Sequence, residues 1–273
     1  MPELPEVETV VRALTQPLLG RRISRIEVLH RPSVAGSPWP LQKICGQRFQ
    51  RLFRRGKFIR MDLDGGAGMA VHLRMTGWLG VTDAHAPADP HTRVRFLLDD
   101  GREVLVFRDI RTFGRIWCGR TGDLEALTAL AKLGPEPLEI AADAFAERLL
   151  SRRGRLKSLL LNQEFLAGVG NIYADEALFA ASLHPLGNAL RLKVEQARKL
   201  HAAIQKILRA AIDAGGSSVV NYRRPDGERG WFQRELAVYG REGLPCVRCG
   251  AAIRRIVVGQ RGTWFCPKCQ KKR

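Results

Sequence analysis

Two hydrophobic periodicities divide this chain. Near the start, apolar side chains recur at Val7, Val10, Val11 and Leu14, the i, i+3, i+4, i+7 stripe of a helix with one buried face. Pro5 suits the first turn of that helix, and Glu6 and Glu8 suit its positive end. From about residue 22 to residue 117 the period falls to two. Residues 22–28 and 57–63 alternate apolar with polar, and Asp100-Gly101 between the alternating runs 93–97 and 103–107 signals a hairpin. Short strands with regular turn punctuation predict a sandwich or barrel. Gly65-Gly66-Ala67-Gly68 reads as one of those turns, and nothing around it resembles a phosphate-binding loop.

Between about residues 120 and 140 the pattern gives way to Gly, Pro and polar residues, including Leu133-Gly134-Pro135-Glu136-Pro137, which marks a domain boundary. Beyond it the period is helical over 144–161, 171–183 and 192–214, with Gly168-Val169-Gly170 separating the first two helices. Residues 215–235 are polar and glycine-rich, a composition that a surface connector satisfies without any function. The expected organisation is therefore α+β and multidomain. An N-terminal helix with a β-sandwich occupies 1–135, a helical domain 136–235, and a small cysteine-bearing hairpin 236–273.

Charge narrows the partner. The 273 residues carry 45 Lys+Arg against 27 Asp+Glu, a formal charge of +18, which points to a polyanion and to nucleic acid before membrane. No apolar run approaches the ~20 residues of a membrane span, and no leader precedes the globular pattern, so a cytoplasmic monomer is expected. Of six cysteines, Cys45 and Cys118 lie isolated in apolar stretches and read as small core residues. Cys246, Cys249, Cys266 and Cys269 form two C-x2-C pairs, a spacing that argues for one zinc ion. Four thiolates close the tetrahedron, so the zinc is structural. Nine basic residues and a single acid lie within 241–273, a segment too short to fold without its metal.

The candidate chemistry sits at the N-terminus. With the initiator methionine removed, Met1-Pro2-Glu3 would present a secondary α-amine titrating near pH ~8, followed by a carboxylate. A secondary amine condensing with a sugar C1′ gives a cationic iminium, an electron sink for elimination, and Glu3 could carry protons. Leu4-Pro5-Glu6-Val7-Glu8-Thr9 after that Pro-Glu resembles the start of the bacterial formamidopyrimidine-DNA glycosylases, and less that of the sister endonuclease VIII group. The likeness extends along the chain. Leu156-Lys157-Ser158-Leu159-Leu160-Leu161 and Gly168-Val169-Gly170-Asn171-Ile172-Tyr173-Ala174-Asp175-Glu176 resemble the family's helix-two-turns-helix module, with Asn162 where many relatives carry Asp.

The resemblance implies a site. Pro2, Glu3, Lys57 of Arg54-Arg55-Gly56-Lys57-Phe58, and Arg261 of Gly259-Gln260-Arg261-Gly262-Thr263 form its catalytic set, Lys57 and Arg261 through phosphates near the lesion. His72, Lys157 and Asn171 are its DNA-binding residues, although Asn171 alone is equally a helix N-cap. Met75, Arg111 and Phe113 match a trio that fills the void left by an extruded base, and a thioether, a guanidinium and an aromatic ring suit that task. The loop within 215–235 would cover the extruded base. The implied activity is excision of 8-oxoguanine and formamidopyrimidines from duplex DNA lying between the domains. Strand scission by β,δ-elimination follows, and neither redox cofactor nor magnesium is used. Two alternatives remain open: an endonuclease VIII-like activity on oxidised pyrimidines, and a non-catalytic zinc-ribbon nucleic-acid binder.

Overall fold

The computed structural model describes all residues except 88, 100, 219–223, 226 and 273, together with all side chains of those it describes save that of residue 128. Helix α1 spans Leu4–Leu18 and begins with a reciprocal capping box between Glu3 and Glu6, in which Glu6 Oε2 accepts the Glu3 N–H at 2.8 Å. Its stripe of Val7, Val10, Val11 and Leu14 is buried.

Eight strands follow: β1 (Ile23–Val28), β2 (Phe49–Arg55), β3 (Phe58–Leu63), β4 (Ala67–His72), β5 (Gly77–Asp83), β6 (Thr92–Leu98), β7 (Glu103–Asp109) and β8 (Arg115–Arg120). They form two antiparallel four-stranded sheets, ordered β1-β6-β7-β5 and β2-β3-β4-β8. One core joins them. Val94, Phe96 and Phe107 of the first sheet, Ile59, Met61 and Val71 of the second, and the buried stripe of α1 belong to a single cluster, so the alternation has resolved as a sandwich with a helix against it. Gly101 carries the hairpin turn with φ of 82°, while its neighbour Asp100 lies outside the described residues. Cys118 is buried in β8 as expected, but Cys45 is exposed. It caps the short 3-10 helix Leu41–Ile44 ahead of Gly46, in a turn and not in a strand.

Two short helices, α2 (Thr121–Glu125) and α3 (Thr128–Ala131), lead out of this unit. The helical part contains α4 (Ala142–Leu150), α5 (Leu156–Leu161), α6 (Asn171–Ala180) and α7 (Val194–Asp213), and the chain closes with the hairpin β9 (Arg254–Val258) and β10 (Arg261–Phe265). The helix expected over 144–161 is thus two helices. Gly154, at φ of 147°, sits between them in a conformation closed to other residues, and the backbone cannot continue helically through it.

Two compact units result, and their bounds differ from the sequence expectation. Residues 214–231 belong with residues 1–132, and the helical segment 133–213 with 232–273. The first grouping has a visible cause. Ser217 N–H donates to Glu6 Oε1 at 2.8 Å, and Trp78 Nε1 donates to the Arg224 carbonyl at 3.0 Å. The Trp78 ring is itself held beneath the Arg108 guanidinium, 3.8 Å from its centroid, and lies over Gly80, where a Cβ would sit 2.2 Å from ring carbon. The second grouping also rests on hydrogen bonds. Glu176, buried on α6, accepts N–H donors from Ala237, Val238 and Tyr239 at 2.8–2.9 Å. Arg248 spends its guanidinium on the Phe179 and Ala180 carbonyls at the C-terminal end of α6, where a cation offsets the helix dipole.

Glu176→Ala would strand three amides, that of Val238 buried and those of Ala237 and Tyr239 half-buried. At about 1–3 kcal/mol for each unsatisfied donor, a loss of roughly 3 kcal/mol or more is expected in urea unfolding, with Glu176→Gln less affected because its amide oxygen still accepts. Unfolding midpoints identical to wild type in both variants would show that these hydrogen bonds do not tie the segment to α6.

Candidate active site

In the first unit the N-terminus is fixed, not frayed. Pro2 is buried next to the exposed Met1, and Glu3 and Glu6 are 3% and 2% exposed. The Glu6 carboxylate spans two segments, taking the Glu3 N–H on one oxygen and the Ser217 N–H on the other. Sequence reading placed Glu6 only as a helix-start charge. The missing signal was its second partner, 211 residues away. The Ser217 hydroxyl is buried and without a hydrogen-bond partner among the described residues.

Lys57 is presented by a two-residue turn between β2 and β3, with Arg55 paired to Phe58 and Gly56 at φ of 56°, a value that suits the glycine of a II′ turn. The lysine is 6% exposed. His72 ends β4, directly across from Phe58, and stacks edge-on against its ring at 4.7 Å. Burial, aided by the charges of Arg74 and Lys57, lowers its pKa to about 3. Its Nδ1 accepts the Arg74 N–H at 3.0 Å, so the proton of the neutral ring lies on Nε2. His72 is therefore a neutral N–H donor at physiological pH and not a cation.

Met75, Arg111 and Phe113 meet on two adjacent loops. Met75 and Phe113 are 43% and 48% exposed, Arg111 Nη1 lies 3.1 Å from Met75 Sδ, and its guanidinium sits 4.8 Å from the Phe113 centroid. Ile110, 59% exposed, extends this apolar tip. One buried carboxylate holds both loops. Asp109 Oδ1 accepts from the Thr76 hydroxyl and from the Arg111 N–H, while Oδ2 accepts the Gly114 N–H at 2.6 Å. Its grip offsets the left-handed backbone of Arg74 and Thr112, at φ of 54° and 58°. Asp109 was not singled out from the sequence, since an acid at the end of a strand carries no pattern of its own.

In the second unit, Asn171 opens α6 and donates from Nδ2 to the Gly262 carbonyl at 3.0 Å. Lys157 departs from the expectation of a DNA-binding residue: its side chain is wholly buried, paired with the equally buried Asp175 at 2.7 Å. Burial pushes the Asp175 carboxyl up to about 7, against the pull of Lys157 and of the Trp264 N–H. Arg261 follows the turn Gly259-Gln260, whose φ values of 53° and 60° fit type I′, and its exposed side chain makes no hydrogen bond or ion pair among the described residues. The four Sγ atoms of Cys246, Cys249, Cys266 and Cys269 lie within 4.8 Å of one another. Two of the separations are 3.5 and 4.0 Å, which bracket the ~3.8 Å edge of a zinc tetrahedron with Zn–S near ~2.3 Å. The Arg248 and Cys269 N–H groups point at Cys246 and Cys266 Sγ at 3.4 Å, the stabilisation that thiolates need. The set fits one structural zinc.

A buried Pro2–Glu3 start, an exposed tip of Met75, Arg111 and Phe113, and a hairpin with four thiols set for zinc suit a zinc-finger enzyme acting on DNA. Three family descriptions match in sequence order: the formamidopyrimidine-DNA glycosylase N-terminal domain over residues 1–116, its H2TH domain over 133–222, and the zinc finger found in FPG and IleRS over 243–272. The formamidopyrimidine-DNA glycosylase of Solibacter usitatus is 46% identical over the whole of both chains, and that of Thermus thermophilus 45% identical over 99% of this chain and 98% of its own. Among solved structures, Thermus thermophilus MutM (FPG) matches at TM-score 0.89 with 43% identity, covering 100% of both chains. A Lactococcus lactis FPG mutant in complex with Fapy-dG containing DNA matches at 0.92 with 36% identity, covering 99% of this chain and 100% of its own. The chain belongs to the formamidopyrimidine-DNA glycosylase family.

The neutral His72 predicts a pH signature. Its folded pKa lies below the ordinary 6.5, so the unfolded chain binds the extra proton and stability falls as pH drops from about 6.5 toward about 3. His72→Asn should flatten that part of the pH–stability curve. An imidazole resonance of His72 titrating near 6.5 in the folded protein would refute the assignment.

Proposed function

We propose that this chain excises oxidised purines, 8-oxoguanine and formamidopyrimidines, from duplex DNA and then cleaves the strand at the resulting abasic site. The observation that carries the reading is the buried Pro2–Glu3 start, anchored through Glu6: a binding module has no use for a rigidly held proline amine. With Met1 removed, the Pro2 nitrogen attacks C1′ of the lesion nucleotide, the glycosidic bond breaks and the base departs with a proton. The deoxyribose ring opens to an iminium, the C2′ proton is lost and the C3′–O bond breaks. A second elimination removes the C4′ proton and breaks the C5′–O bond, and water releases the sugar remnant from proline. Glu3, in a dry setting beside the amine, is suited to move protons between these steps, and the buried Lys57 ammonium to steady the adjacent phosphate.

Arg261 contributes a phosphate contact from the hairpin tip, and zinc holds the hairpin without entering the reaction. The wedge of Met75, Phe113 and Arg111 fills the space left by extrusion, which itself costs a few kcal/mol. The loop within 215–235 covers the base, and its residues 219–223 and 226 lie outside the described residues. The protein acts as a monomer in the cytoplasm.

Borohydride added during reaction with an abasic duplex should trap a covalent adduct that maps to the N-terminal peptide at Pro2. An unprocessed Met1 should block it, and recovery of the adduct on Lys57 would sink the assignment.

Arg111 supplies the choice of opposite base. Cytosine offers O2 and N3 as adjacent acceptors to the guanidinium fork, whereas adenine sets an amino donor against it. By the scale of bidentate arginine readout, about 1–3 kcal/mol, the preference for cytosine should be roughly five- to 150-fold. Arg111→Ala is expected to bring excision opposite cytosine down toward that opposite adenine while trapping at abasic sites persists. An Arg111→Ala enzyme that is slower on both yet keeps its preference would mean that the opposite base is read elsewhere.

A further inference from the structure

The wholly buried Lys157 needs a role other than touching DNA. Oxygens of two segments accept from its ammonium. One is Asp175 Oδ1 at 2.7 Å, the other the Gly262 carbonyl at 3.2 Å, which also accepts from Asn171 Nδ2 at 3.0 Å. The second oxygen of Asp175 accepts the Trp264 N–H at 3.0 Å. Thus the start of α5 and the first turns of α6 grip β10 at two residues, 262 and 264, which flank the buried Thr263. Arg261 is the next residue outward. Its own strand partner is Val258 across a turn of only Gly259 and Gln260, so the tip has no core of its own and takes its position from what holds Gly262.

We infer that Lys157 and Asp175 are positioning residues that fix the tip of the zinc hairpin, and through it Arg261, on the helix pair. A buried ion pair is a poor way to gain stability, since apolar replacements of both partners are often neutral or better. It is a good way to fix geometry. Here each charge also meets a backbone group of one strand, and an apolar pair of equal volume could offer Gly262 O and Trp264 N–H nothing. A hairpin held only by its four cysteines could pivot about the metal, with its tip free to swing. The inference rests on the proposed phosphate role of Arg261, but it concerns what places that arginine.

Two measurements on the full-length zinc-loaded protein separate the two ideas. In the free protein, amide hydrogen exchange in the peptide 254–265 should rise at least about tenfold in Lys157→Met and in Asp175→Leu, and should stay raised in the double variant even if its melting temperature returns to wild type. Unchanged exchange would overturn the inference irrespective of DNA. The second measurement is binding to a duplex with a reduced abasic site across a salt series. Lys157→Met should weaken it about tenfold with a shallower salt slope, as should Arg261→Ala. The two together should be no worse than Arg261→Ala alone, because one acts through the other. Additive losses would overturn the inference by making Lys157 a DNA contact in its own right. An Arg261→Ala protein binding as tightly as wild type would instead remove the phosphate role of Arg261, and with it the consequence for DNA drawn here. Should Lys157→Met fail to fold, Asp175→Asn, which keeps an acceptor for Trp264 while lowering the pull on Lys157, is read in its place by the same exchange criterion.

Discussion

A carboxylate taken out of water must find hydrogen-bond donors, and among the described residues at least four of them find backbone amides of segments distant in sequence or on exposed loops. Glu6 takes the amides of Glu3 and Ser217, Asp109 those of Arg111 and Gly114, Asp175 that of Trp264, and Glu176 those of residues 237–239. Hydrogen bonds to a charged group contribute about 1.5–3 kcal/mol each, and losing the acceptor leaves the donor stranded. The segments around Ser217 and Gly114 are short and rich in glycine or polar residues, with little apolar surface to bury. Charge-assisted hydrogen bonds do there what side-chain packing does in the sandwich.

This division has a functional logic. The sandwich core is apolar and needs no chemistry, so it supplies a rigid frame. Three features proposed for lesion processing hang from that frame, or from the helical unit, by a carboxylate: the Pro2–Glu3 start by Glu6, the Met75–Arg111–Phe113 tip by Asp109, the hairpin tip by Asp175. A nucleophile or wedge displaced by an ångström loses much of its rate, and directional hydrogen bonds fix position more sharply than non-directional apolar contact.

The positive charge likewise serves two purposes. Met75, Phe113 and Arg111 stand outward, and Arg261 is exposed without a partner among the described residues, available to an anion. Lys157 and Arg60 turn inward, onto Asp175 and onto Glu125 at 2.6 Å, while the exposed Arg248 is held by the carbonyls at the end of α6. A count of basic residues therefore overstates the charge offered to DNA, even in the densely basic final segment.

The sequence by itself determined what depends on local order. The buried stripe of α1, the period-two strands and the zinc ligands from their spacing were all legible, because periodicity and short spacings encode their own geometry. Where that local logic was followed too far it failed: Gly154 broke one expected helix in two, and Cys45 proved to lie in a turn. Which carboxylates are buried, that residues 214–231 rejoin the N-terminal unit, that His72 is neutral, and that Lys157 faces inward were decided only in three dimensions. Each turns on partners tens to hundreds of residues apart, Glu6 with Ser217 or Lys157 with Gly262. An acid or a lysine looks the same in sequence whether it meets water or an amide, and only the tertiary structure brings the amide to it.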